Sequence, residues 1–275
     1  MFLKARILCI VVILIFLVVS LSCSLQSPGG HTQGQSSIAA RISFNQAGLT
    51  PASFDSLVIT ITGDGISPIR DSLLLDGVKG RARINVPANK DLLATAVAYR
   101  DTRQVMSGAD SFRVSDGETV PLSIMMNFLV PTIIVSPPDS TLSVGQSITL
   151  YLAARQVVNM ATFGAQVQFD PAVLTVQELG REDAFLKSNA GNVNQLLFSK
   201  DNSGGTVDVV FGIFPASAAV TGQGTVGRIV FTAVDTGITD LSVRVDHDVN
   251  SNYALFDQNA NLMYAMGLGG RITIQ

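Results

Sequence analysis

The chain has 275 residues, enough for two domains, with 18 basic and 21 acidic side chains and a formal net charge of −3. No basic run or stripe stands out, which excludes a charge-built surface for nucleic acid or anionic lipid. There is no tryptophan, and the only cysteines are Cys9 and Cys23, so everything after residue 23 must be held by packing without disulfides.

Lys4 and Arg6 precede an apolar run from Ile7 to Val19. The run has the length of a signal-peptide core and is shorter than the roughly 20 residues that span a bilayer as a helix. Ser20-Leu21-Ser22-Cys23 follows. It is similar to a bacterial lipobox, with cleavage after Ser22 and a lipid on the Cys23 thiol, although Ser20 stands where an aliphatic residue is usual. Residues 1–22 are therefore read as a signal peptide and Cys23 as a lipidation site. An ordinary secretory signal and an uncleaved anchor over Leu3 to Leu21 are the alternatives. Residues 23–37 are rich in Gly, Ser and Gln with no apolar periodicity, which predicts a flexible tether. The expected location is the cell envelope: extracytoplasmic and lipid-anchored, at an outer membrane or cell surface.

Beyond the tether, short runs of Val, Ile and Thr alternate with Gly, Asp, Asn and Pro turns. This predicts an all-β chain of two tandem β-sandwich domains. The first domain covers residues 38–129. Strands are expected at Ala39–Phe44, Ser56–Thr62, Ser72–Leu75, Gly80–Val86, Leu92–Arg100, Ser107–Val114 and Thr119–Met125. Gly63-Asp64-Gly65 and Ser115-Asp116-Gly117 mark turns. The pattern resembles immunoglobulin-like or carboxypeptidase-regulatory-like sandwiches, and implies either a spacer or a second binding domain. From Val130-Pro131 to Pro137-Pro138 the prolines predict a stiff, extended connection.

The second domain covers residues 130–275 and carries a series of ordered motifs. Val144-Gly145-Gln146-Ser147-Ile148-Thr149-Leu150 opens it. Phe163 to Phe169 follows, with Phe163, Ala165, Val167 and Phe169 on one face at period two, and Gln166 and Gln168 on the other. The strand stops at Asp170-Pro171, because proline cannot continue a ladder, and Val173-Leu174 return to the core. Gly205 to Phe211, Gly222 to Ala233, Gly237 to Leu241 and Gly270 to Ile274 complete the series. In this order the motifs resemble a cohesin domain, and they cover about half of the chain.

The resemblance implies a jelly-roll sandwich that is not an enzyme and that holds a dockerin-type protein module, in a setting linked to polysaccharide degradation. It also implies a flat sheet face for the contact, formed here by Thr162, Gly164, Gln166 and Gln168, with Phe214 at its edge. Thr162 and Gly164 stand where classical members carry Asn and Asp. Phe211 and Phe214 are read either as core residues or as an exposed apolar contact.

Two other chemistries have candidate residues. A carbohydrate-binding surface protein would stack sugars on exposed rings, for which Tyr253 and Tyr264 are the candidates. A structural envelope or adhesion component without dockerin partners is the remaining alternative. Asp246, Asp248, Asn250 and Asp257 have the spacing of calcium ligands in an EF-hand loop, but Ser251 replaces the turn glycine and the flanks read as strand. The loop is therefore either a weak calcium site or a polar turn, and no cofactor is expected beyond it. The sequence offers no nucleophile–base set for catalysis: His31 and His247 are the only histidines, and no G-x-S-x-G occurs.

Overall fold

The computed structural model describes residues 36–43, 54–76 and 79–275, with side chains described for all of these except 41–43 and 74–81. The expected signal peptide and the Cys23 lipidation site lie outside the described residues. Among the described residues, no helix is long and apolar enough to cross a membrane.

The first sandwich has nine strands: β1 (Ser36–Ser43), β2 (Ser56–Gly63), β3 (Ile69–Ser72), β4 (Leu74–Asp76), β5 (Lys79–Val86), β6 (Asp91–Arg100), β7 (Arg103–Arg113), β8 (Thr119–Met125) and β9 (Asn127–Phe128). One sheet runs β4-β5-β1-β8 and the other β3-β2-β6-β7-β9. Between them lie Ile38, Ile84, Leu122 and Ile124 from the first sheet, and Leu57, Ile59, Ile61, Ala94 and Ala96 from the second. Period-two alternation puts these residues on the inner faces. Six strands fall where the sequence predicts them, give or take the ends; the expected strand Ser72–Leu75 instead straddles the end of β3 and the start of β4, which belong to different sheets. The expected tether, however, ends too late. Ser36 and Ser37 are buried members of β1, because the Ser36 hydroxyl bridges the Ser115 carbonyl and the Gly117 amide while that of Ser37 pairs with Thr119.

The second sandwich has twelve strands: β10 (Thr132–Ser136), β11 (Asp139–Leu142), β12 (Ser147–Gln168), β13 (Leu174–Arg181), β14 (Asn192–Asp201), β15 (Thr206–Phe214), β16 (Val220–Ala233), β17 (Gly237–Arg244), β18 (Leu255–Asp257), β19 (Leu262–Met263), β20 (Met266–Leu268) and β21 (Gly270–Ile274). Strand β12 serves both layers. Its first half lies between β16 and β10, and its second half between β15 and β17. The two halves join through bulges between Ala154 and Met160, where Gln156 and Asn159 have positive φ. Such irregularities let one strand turn a corner between sheets. One layer reads β13-β16-β12-β10-β20 and the other β14-β15-β12-β17-β21-β11. Leu150, Leu152, Ile229 and Phe231 of the first layer meet Phe163, Val167, Val209 and Phe211 of the second. Phe169 packs edge-on against Phe231, with ring centres 5.1 Å apart.

The proline-flanked connection is corrected by the structure. Thr132–Ser136 is strand β10, paired on both sides, with Ile133, Ile134 and Val135 buried. Pro131, Pro137 and Pro138 bracket the strand rather than interrupt it, so its amides remain free to pair. Ile134, Met266 and Leu268 point out of the second sandwich and join the apolar cluster of the first, beside Met126 and Phe128. The two sandwiches thus share buried surface along a seam. Tyr264 lies there with His247 stacked on its ring at 4.0 Å, the Arg103 guanidinium 4.9 Å from the ring centre, and its hydroxyl 3.3 Å from Asp101.

Candidate functional site

The second half of β12 and its neighbour β15 alternate strictly. Phe163, Ala165 and Val167, with Val207, Val209 and Phe211, enter the core. Thr162, Gly164, Gln166 and Gln168, with Asp208, Val210, Gly212 and Phe214, form the outer face. The face divides into a covered centre and an open end.

The centre is covered by the segment between β17 and β18, residues 245–254, termed the strap below. A Cβ on Gly164 would collide with the carbonyl oxygens of Asn252 and Ala254, so only glycine lets the strap backbone approach this closely. Val210, opposite Gly164 in the register, is buried too. Gln166 is 9% exposed, and its amide donates to Asp208 at 2.8 Å and to the Tyr253 hydroxyl at 2.9 Å. That hydroxyl donates in turn to the same Asp208 oxygen at 2.8 Å, and the Ser199 hydroxyl donates to the other oxygen. Gln168 extends the network, donating to the Gln166 side-chain oxygen and accepting from Ser242. Burial, reinforced by the hydrogen bond to Asp208, pushes the Tyr253 phenol above its ordinary pKa.

The expectation of an open face through Gly164 and Gln166 is therefore corrected: both are buried beneath the strap. Alternation determines which side chains leave the core, but not what a distant segment lays over them.

Between its buried ends, Val245 on the core and Ala254, the strap is held mainly by polar contacts. Arg244 grips both oxygens of Asp246 at 2.9 and 2.7 Å, and the Ser251 hydroxyl donates to Asp246 at 2.6 Å. The Asp246 amide donates to the Tyr253 carbonyl, and the Arg244 guanidinium lies 5.0 Å from the Tyr253 ring centre. A His247 ring nitrogen donates to the Ala265 carbonyl at 2.8 Å, tying the strap to the seam. The hydrogen bond from Arg244, with that from Ser251, holds the Asp246 carboxyl below the usual range.

The oxygens with calcium spacing take part in these and neighbouring hydrogen bonds. Asp246 is committed to Arg244 and Ser251, Asp248 to the Asn250 turn, and Asp257 to the amides of Asn259 and Asn261. Among the described residues, no group of three or more His, Cys, Asp or Glu side chains is placed to hold a metal ion. Of the two tyrosines considered for sugar stacking, Tyr253 is engaged by Asp208 and Arg244, and Tyr264 by His247 and Arg103.

The open end is an apolar groove of about 340 Å3, lined by Thr162, Asn194, Leu196, Gly212, Phe214, Phe256 and Gln258 among others. Phe214 is 67% exposed and Leu196 63% exposed. Phe211, three residues earlier on β15, is fully buried, so the two phenylalanines take opposite roles. Thr162 and Phe214 were legible from the sequence; Leu196, Phe256 and Gln258 were not. Leu196 sits in a bulge of β14 between Gln195 and Leu197, which defeats a period-two reading.

No protein-family model and no curated protein matches the chain. Solved structures do. The chain is similar in fold to cohesin domains. A non-cellulosomal cohesin from Archaeoglobus fulgidus is 13% identical, with a TM-score of 0.42 over 53% of this chain and 91% of that one. A type I cohesin–dockerin complex from Clostridium thermocellum gives 17% identity and a TM-score of 0.40 over 53% and 99%. A type II cohesin domain from the cellulosome of Acetivibrio cellulolyticus gives 18% and 0.41 over 52% and 95%.

Proposed function

We propose that the chain is a non-catalytic binding protein that holds a partner protein through the outer face of the β14-β15-β12 layer. The observation that carries this reading is the groove at the open end. Two large apolar side chains, Phe214 and Leu196, stand exposed and both line one apolar hollow. Exposed aromatic and aliphatic anchors beside a hollow are the usual energetic centre of a protein interface. The partner is a dockerin-type module, as the cohesin-like order of motifs in the second domain implies. Cys23 carries a lipid that fixes the protein to the cell envelope, and the partner belongs to polysaccharide-degrading machinery.

Calorimetric titration with calcium-loaded dockerin modules tests the reading. Binding is expected with calcium and not with EDTA, and Phe214→Ala is expected to weaken it by about thirtyfold, the cost of a central anchor. Binding that ignores Phe214→Ala moves the site elsewhere. Binding to a glycan array in place of any dockerin replaces the protein partner with a polysaccharide.

A further inference from the structure

Asp208 faces outward at the middle of the partner face, directly opposite Gln166. Its carboxylate is served by three donors: the Gln166 amide, the Ser199 hydroxyl and the Tyr253 hydroxyl. The first two belong to the sheet. The third comes from the strap, more than forty residues along the chain, and it is the strap's side-chain contact with the centre of the face. Val245 packs on the core at one end of the strap and Ala254 is fully buried at the other; between them its remaining hydrogen bonds are made within itself, with Arg244 or at the seam. Val249, near its tip, is 64% exposed. Apolar burial is thus confined to the two ends of the strap, and the segment between them is held by hydrogen bonds, which exchange readily for others of equal quality.

We infer that the strap is a built-in cover over the centre of the face, and that the Tyr253 phenol occupies the position of a partner's hydrogen-bond donor. A partner seated first on Phe214 and Leu196 reaches Asp208 only after the strap lifts. It must then bring a hydroxyl, ammonium or guanidinium group to replace the phenol, because Asp208 would otherwise lose a donor in a partly desolvated site. This inference rests on the reading of the face as a partner site, but the cover itself can be tested without any partner.

Two single substitutions lift the strap by independent routes. Tyr253→Phe keeps the ring and deletes the donor. Gly164→Ala keeps the donor and places a methyl group against the Asn252 carbonyl. Hydrogen exchange of the full chain is read by mass spectrometry over residues 162–168 and 245–256, with the melting temperature as a check on folding. Both variants are expected to exchange about tenfold faster in these two segments alone, as the loss of one good anchor implies. Unchanged exchange in both variants overturns the cover.

The same proteins are then titrated with a calcium-loaded dockerin module. Tyr253→Phe is expected to bind about tenfold more tightly than the wild type, because the cover no longer competes. Faster exchange with equal or weaker dockerin affinity overturns the gate. Faster exchange with no dockerin binding to the wild type or to either variant overturns the partner reading and leaves the cover standing.

Discussion

The centre and the open end of one sheet face solve the same problem in opposite ways. Both are built from outward positions of β12 and β15. At the centre these positions are Gly164, Gln166, Asp208 and Val210, and a returning segment of chain closes over them with hydrogen bonds. At the open end they are Thr162, Gly212 and Phe214, which no segment among the described residues closes over, and the chemistry is apolar. A polar centre can be closed and reopened at little net cost, since each hydrogen bond has an alternative partner in water. An apolar end has no such alternative, and its exposed area gains only when something covers it. The difference sets an order of events: apolar contact first, polar exchange second.

The largest expected effect separates the inner face from the outer one. Phe211→Ala, in the core, should cost about 3–5 kcal/mol of stability, whereas Phe214→Ala, three residues away, should stay within about 0.5 kcal/mol. Urea unfolding of the two variants measures this, and equal costs would mean that Phe214 is not free at the open end. A smaller effect tests whether the strap's end of the face depends on the first sandwich. Met266, two residues from Tyr264, is buried in the seam cluster. Met266→Ala should cost about 2–5 kcal/mol and lower the melting of both sandwiches in one calorimetric transition. Two separated transitions would show that the seam does not couple them.

The smallest effect is set by pH. Asp246 titrates below its ordinary value because Arg244 and then Ser251 hydrogen-bond to the ionised form. The stabilisation it gives the strap is therefore fully present above the unfolded carboxyl value of about 4, and is lost as the pH falls through the lower folded value. Exchange over residues 245–254 should rise in that acid window. Asp246→Asn should show the fast exchange already at neutral pH.

The fold was legible wherever periodicity and turn chemistry act locally. Strand β2, with Leu57, Ile59 and Ile61 inward, and the stop at Asp170-Pro171 follow from a few neighbouring residues. Errors arose where distant partners decide. Ser36 and Ser37 look like tether, but their hydroxyls meet Ser115, Gly117 and Thr119 about eighty residues on. Thr132–Ser136 looks like a linker between prolines and is a central strand. Of the five residues expected on the partner face, Thr162 and Phe214 lie at the open end. Gln168 is exposed beyond the strap, and Gly164 and Gln166 lie beneath it. No local signal marks Tyr253 as the group that reaches Asp208. In the sequence its ring reads as a candidate sugar platform, and the carboxylates around it, Asp246, Asp248 and Asp257, as a candidate metal loop.

Strand β1 has a mechanical consequence. It is the first described element of the chain, and it is bonded on both sides, to β5 antiparallel from Ser36 to Ser43 and to β8 parallel from Ser37 to Ser43. A pull applied at Ser36 along the strand axis strains these two ladders in shear, so many bonds must fail together instead of unzipping one at a time. Traction entering at this end therefore meets both ladders of β1 at once.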